Sequence, residues 1–268
     1  SLFLILSLGI SHGALDHIKG KKLLKILNYK STLIFYILYI LISLSVIILW
    51  LIFPKILLLA FLFVASFHFG KEDSEFINYK QTNGVIYFFK GSLVITAPLL
   101  FHKEETLKIF NNLNFDISQS LFISNEFLIL FIVISLFTNI LLSLSKQIDV
   151  KSLLVMDFAS ILLLNYFLNP ILAFTFYFCF LHSIRHSFKL SNELNKNNFI
   201  KGFKGFILKS LPLTILTAIL FLITLLFLKN YYFLDSAISK VIFIGLASLT
   251  FPHILLEYLL EKNEKQRN

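Results

Sequence analysis

A single cysteine, Cys179, stands in this 268-residue chain, so no disulfide can close within it and no thiolate-based zinc or iron–sulfur site can be built. Charge is scarce as well: 15% of residues are charged and 57% hydrophobic, and the mean hydropathy is +0.82. A water-soluble domain would not stay in solution on that balance, and the composition is that of a polytopic membrane protein. The net charge of +9 would point to nucleic acid if it gathered on a soluble face, but the basic residues follow the loops, and no nucleic-acid partner is expected. HExxH is absent, which sets aside an intramembrane metalloprotease. HxxHH is absent too, which sets aside the histidine-dense di-iron desaturases and hydroxylases. No basic leader with a small-residue cleavage site opens the chain, so its first apolar run is not read as a signal peptide; because it opens at Ser1, the natural chain is expected to begin upstream.

What is present is hydrocarbon-like sequence in long runs. Bounded by charge, Pro or Asn, these predict about nine membrane-spanning helices, over 1–18, 32–53, 55–70, 84–101, 121–143, 151–168, 170–188, 207–228 and 237–260. The expected fold is therefore an all-α polytopic membrane bundle, a single transmembrane domain over 1–268. With nine spans, eighteen Lys and Arg fall in loops on one side and five on the other, while Lys90 lies inside the fourth span. The excess of positive charge on the cytoplasmic side then places the N-terminus outside and the C-terminus inside, in a multi-pass protein of the cytoplasmic membrane.

Against this background the histidines stand out. His12, His68, His182, His186 and His253 each interrupt a run of Leu, Ile, Phe and Val, and on the nine-span reading all lie in the later, cytoplasmic part of outside-to-inside helices. His102 falls at the opposite end of its span and reads as interfacial, as does His17 at the membrane edge. Ionisable side chains within a membrane cost several kcal/mol unless paired or ligated, so they mark functional sites. His182 and His186, four residues apart, share one helix face and suit one metal atom. Taken singly, His12, His68 or His253 also suits a hydrogen bond between helices.

Acids accompany these histidines one turn on: Asp16 after His12, Glu72 and Asp73 after His68, and Glu257 after His253. Such an acid can accept the second N–H of a ligating imidazole and fix its tautomer. Asp157 is a further buried acid at matching depth, and Arg185 either snorkels or holds a carboxylate. Gly13 and Gly70, beside His12 and His68, would let helices approach closely. Tyr177 and Phe178, one turn before His182, suit either a pocket wall or core packing.

Imidazoles without thiolate suit iron, zinc, copper or nickel, and ligand type alone does not choose. A site reached from the hydrocarbon invites an apolar substrate and oxygen chemistry, which favours iron with open positions over a closed zinc site. A bis-histidine haem fits less well, because His182 and His186 share one face of one helix. A proton or metal transporter would also place His and Asp in the membrane, but the outer halves of the spans are almost purely apolar and no internal repeat is visible.

Four stretches in order carry a resemblance: Ser11-His12-Gly13-Ala14-Leu15-Asp16-His17; Phe67-His68-Phe69-Gly70 with Asp73; Tyr177-Phe178-Cys179-Phe180-Leu181-His182-Ser183-Ile184-Arg185-His186; and Pro252-His253. With these the chain resembles the Brp/Blh family of bacterial and archaeal membrane β-carotene dioxygenases. The resemblance implies an Fe(II)-dependent enzyme that uses O2 to split the central double bond of all-trans-β-carotene into two molecules of retinal; the residues are compatible with oxygen addition across that bond and collapse to two aldehydes. It implies His12, His68, His182 and His186 as iron ligands, with His253 either a fifth ligand or a close neighbour. Asp16, Asp73, Asp157, Glu257 and Arg185 are then expected to support the ligands, and Tyr177 and Phe178 to line the substrate pocket. It also implies a lipid-embedded enzyme with a functional link to a retinal-binding rhodopsin. A non-catalytic role in retinal supply or opsin assembly is the alternative.

Overall fold

The computed structural model describes residues 1–74, 84–116, 124–144 and 148–265, without the side chains of residues 10–12 and 148–150. Every regular element among the described residues is helical. The chain forms two compact units, one of Ser1 and Leu58–Arg185, the other of Leu2–Leu57 and His186–Asn268.

The first unit holds most of α4 (Pro54–Glu72), then α5 (Gly84–Phe101), α6 (Lys103–Asn112), α7 (Asn125–Leu144), α8 (Ile148–Phe167), α9 (Pro170–Phe176) and a π-helical segment, Tyr177–Ser183. α5, α7 and α8 pack on one another. α9 starts where Asn169 accepts a hydrogen bond from Leu172 N at 3.0 Å and Pro170 occupies the first turn, where its missing N–H is not needed. Hydroxyls buried among apolar helices satisfy themselves locally: Ser66, Thr96 and Thr175 donate to the carbonyls of Leu62, Ser92 and Ile171 one turn back.

The second unit opens with α1 (Leu2–Leu4), a π-helical segment Ile5–Gly9 and a 3-10 segment Ile10–Leu15, and continues into α2 (Asp16–Ile26) and α3 (Leu33–Ile52). It closes with α10 (Ile184–Leu194), α11 (Phe199–Leu228) and α12 (Leu234–Lys265), α12 packing on α2 and α3 and α11 against the 3-10 segment.

Among the described residues six helices are long and apolar enough to cross a membrane: α3, α4, α5, α7, α11 and α12. The other three expected spans are helical but different in kind. The expected span over 1–18 is not one α-helix but a succession of α, π and 3-10 turns entering α2. That over 170–188 is interrupted by the π-helical segment, and α8 covers the one expected over 151–168 while carrying Lys151 and Asp157. The amphipathic α6 was not anticipated.

Glycine decides the α4–α5 contact. A Cβ on Gly70 would overlap the carbonyl of Tyr87, and one on Gly91 the carbonyl of Ser66, so the two backbones touch there. The expectation for Gly70 is thus met, whereas among the described residues a Cβ on Gly13 would meet Asp16 Oδ2 alone, at 4.0 Å. Replacing Gly91 with Val should push α4 from α5 and destabilise the protein by roughly 1–3 kcal/mol, seen as a lower Tm in detergent; an unchanged Tm would contradict the contact.

Candidate metal centre

In the first unit, α4 delivers His68 in its last turn and Glu72 one turn later, on the same face. The π-helical segment delivers His182, which is 1% exposed. Glu72 Oε2 lies 3.3 Å from His182 Nε2 and 3.6 Å from His68 Nε2. One ligand atom from each of His68, Glu72 and His182 lies within 4.8 Å of the other two, and all three residues are buried. Two imidazole nitrogens and a carboxylate oxygen at such spacing can share one metal ion.

The outer face of His182 is fixed by the residue after Glu72. Asp73 Oδ1 is 3.0 Å from His182 Nδ1, and the Tyr177 hydroxyl donates to Asp73 Oδ2 at 2.6 Å. An ionised carboxylate only accepts, so Nδ1 carries a proton and Nε2 is the ring nitrogen turned toward Glu72. Burial alone would push the Asp73 carboxyl up, but the His182 imidazole, with Lys90 and Arg185 beyond it, holds it below the ordinary range. Lys90, buried inside α5, donates to the Asp73 carbonyl at 2.7 Å and to Ser74 Oγ at 2.9 Å, and so caps the C-terminal end of α4 with a cation. Aromatic rings complete the seat: Phe178 stacks on His182 at 5.8 Å and 17°, and Phe69 meets it edge-on at 4.9 Å.

Beside Asp73 a cavity is lined by Lys90, Asn139, Asp157, Tyr177, Leu181 and Arg185. Arg185 grips Asp157 with two hydrogen bonds, 2.8 and 2.6 Å, which answers whether it snorkels or holds a carboxylate.

The second unit repeats the wiring. His253 in α12 is 3% exposed, and its Nδ1 lies 2.8 Å from Asp16 Oδ1, while Tyr39 of α3 donates to Asp16 Oδ2 at 2.9 Å. The His186 ring stands edge-on to His253 at 6.3 Å. His17 Nδ1 donates to the carbonyl of Ala14 at 2.9 Å, and Lys19 pairs with Glu257. The side chain of His12 lies outside the described residues.

Glu72 faces His68, one turn before it, as expected, whereas the other acids distribute differently. Asp73 holds His182 rather than His68, and Glu257 takes Lys19 rather than His253; Asp16 faces His253, and its expected pairing with His12 falls outside the described residues. The reason is rotational: successive helical residues point about 100° apart, so Asp73 leaves the face that His68 and Glu72 share. Tyr177 both lines the cavity and anchors Asp73, while Phe178 packs on His182. Tyr39 and the ligating geometry of Glu72 were not foreseen; a tyrosine in an apolar span carries no sequence signal, but an acid four residues after a membrane histidine does. Replacing Asp73 with Asn should free His182 to choose the wrong tautomer and lower divalent-metal affinity by about 10–100-fold in calorimetry, with unchanged affinity counting against the orientation described.

A family profile described as Beta-carotene 15,15'-dioxygenase matches residues 3–261. A protein named Beta-carotene 15,15'-dioxygenase from an uncultured marine bacterium 66A03 is 27% identical over 260 residues, covering 96% of this chain and 91% of that protein. No solved structure matches the chain significantly. Because the profile runs through both units and takes in every histidine and acid placed above, the chain belongs to the beta-carotene 15,15'-dioxygenase family.

Proposed function

We propose that this protein is an Fe(II)-dependent dioxygenase that cleaves the central double bond of all-trans-β-carotene with O2, giving two molecules of all-trans-retinal. The balance is simple: the carbon–carbon double bond breaks, both oxygen atoms of O2 are consumed, and each new aldehyde carries one. The observation that carries the reading is the buried convergence of His68, Glu72 and His182, in a chain whose relative is named for this reaction. Imidazole and carboxylate donors with no thiolate suit Fe(II), and the lone Cys179 brings no competing soft ligand to the set. Iron, when bound, supplies the electrons that make O2 reactive toward an alkene.

The protein's own part is placement and exclusion of water. Asp73 and Tyr177 hold the His182 ring, Phe69 and Phe178 pack against it, and apolar helices bring a hydrocarbon substrate from the bilayer without a polar handle. We assign His12, His68, His182 and His186 as iron ligands, the first and last on the strength of the sequence motifs. His253 stands as a fifth ligand or close neighbour, turned by Asp16 in the way Asp73 turns His182. Asp157, Arg185 and Glu257 act at one remove, through their own ion pairs. The proposed setting is the cytoplasmic membrane, and the retinal produced would serve a retinal-binding rhodopsin.

Purified protein in detergent, loaded with Fe(II) and given β-carotene under air, should yield retinal as the sole aldehyde by chromatography. The His68→Ala and His182→Ala variants should retain less than about 1% of that activity, the loss expected when a metal ligand is removed. Wild-type protein that holds no iron, or yields no retinal, would overturn the reading, and aldehydes of other lengths would relocate the cleavage.

A further inference from the structure

We infer that Glu72 is itself a ligand of the metal, so that the first unit presents two imidazoles and a carboxylate rather than imidazoles alone. This deepens the iron reading and rests on it. His182 turns Nδ1 to Asp73 Oδ1 at 3.0 Å, which leaves Nε2 as the ring nitrogen that faces Glu72 Oε2, at 3.3 Å. His68 Nε2 faces the same oxygen at 3.6 Å. A single carboxylate oxygen set against two imidazole nitrogens, with one ligand atom of each residue within 4.8 Å of the others, is an arrangement that one cation can serve.

The spacing agrees. Ligands about 2.1 Å from a common ion lie roughly 3.0–3.4 Å apart, and the two separations measured here bracket the upper end of that range. A carboxylate also answers the electrostatics, since neutral imidazoles leave both charges of a divalent ion uncompensated in a low-dielectric site, and Glu72 removes one of them. The division of labour between neighbours follows: Glu72 faces the ion and Asp73, turned about 100° away, holds the imidazole from behind. Imidazole and carboxylate donors occur together in non-haem Fe(II) sites, so adding Glu72 to the histidine ligands keeps a set that suits iron.

The test is Co(II) binding to the full-length protein, which reads the ligand set without turnover. Glu72→Gln keeps the size and hydrogen bonding of the side chain and removes its charge. It should weaken Co(II) binding by more than the roughly 10–100-fold that loss of an outer partner costs, and shift the visible d–d bands. Glu72→His, which offers a third imidazole, should restore binding with a different spectrum. The wild-type protein gives a check that needs no variant to fold: metal binding should shift one carboxylate stretch in the infrared difference spectrum. Glu72→Gln protein with wild-type affinity and unchanged bands, or no carboxylate shift in the wild type, would overturn the inference while leaving an iron enzyme intact. A wild-type protein that binds no divalent metal would overturn both.

Discussion

A carboxylate buried between apolar helices must have its charge met on every side, and Asp73 is where this protein satisfies that demand most fully. His182 meets one oxygen, the Tyr177 hydroxyl the other, and Lys90 holds the carbonyl of the same residue. The partners come from two other stretches of chain, so this one residue pins the end of α4 to α5 and to the π-helical segment. The orientation of His182, and with it the turn of its Nε2 toward Glu72, follows from that arrangement. So does the α4–α5 contact through Gly70 and Gly91, which brings the Lys90 ammonium within reach of the helix end.

The same solution occurs in the second unit, where Asp16 accepts from His253 and Tyr39. In both units a carboxylate at a helix boundary takes an imidazole from one partner and a phenol from another. The phenol matters because it occupies the carboxylate oxygen that would otherwise need water, which apolar surroundings exclude. The two π-helical segments lie just before His12 and around His182. A π turn widens a helix and re-aims the side chains after it, which is why such turns gather at functional sites.

Much of this was legible in the residues. Helical membrane architecture follows from long apolar runs, and His68, His182, His186 and His253 announce themselves as polar residues inside them. The division of the acids did not follow, because Glu72 and Asp73 are neighbours in sequence and their roles separate only through helix rotation. Nor could the partner of Asp16 be read, since His253 lies at the far end of the chain. The π-helical segments have no composition that betrays them, so the span expected over 1–18 looked regular when it is not. Lys90 was visible as a charge inside a span, but its target, a backbone carbonyl, has no sequence signature.

X-ray absorption at the iron edge of the loaded full-length protein tests the central claim most directly. The account predicts a first shell of nitrogen and oxygen only, with the outer-shell scattering of imidazole rings. A sulfur ligand, or a shell without imidazole scattering, would contradict a metal seated on His68 and His182.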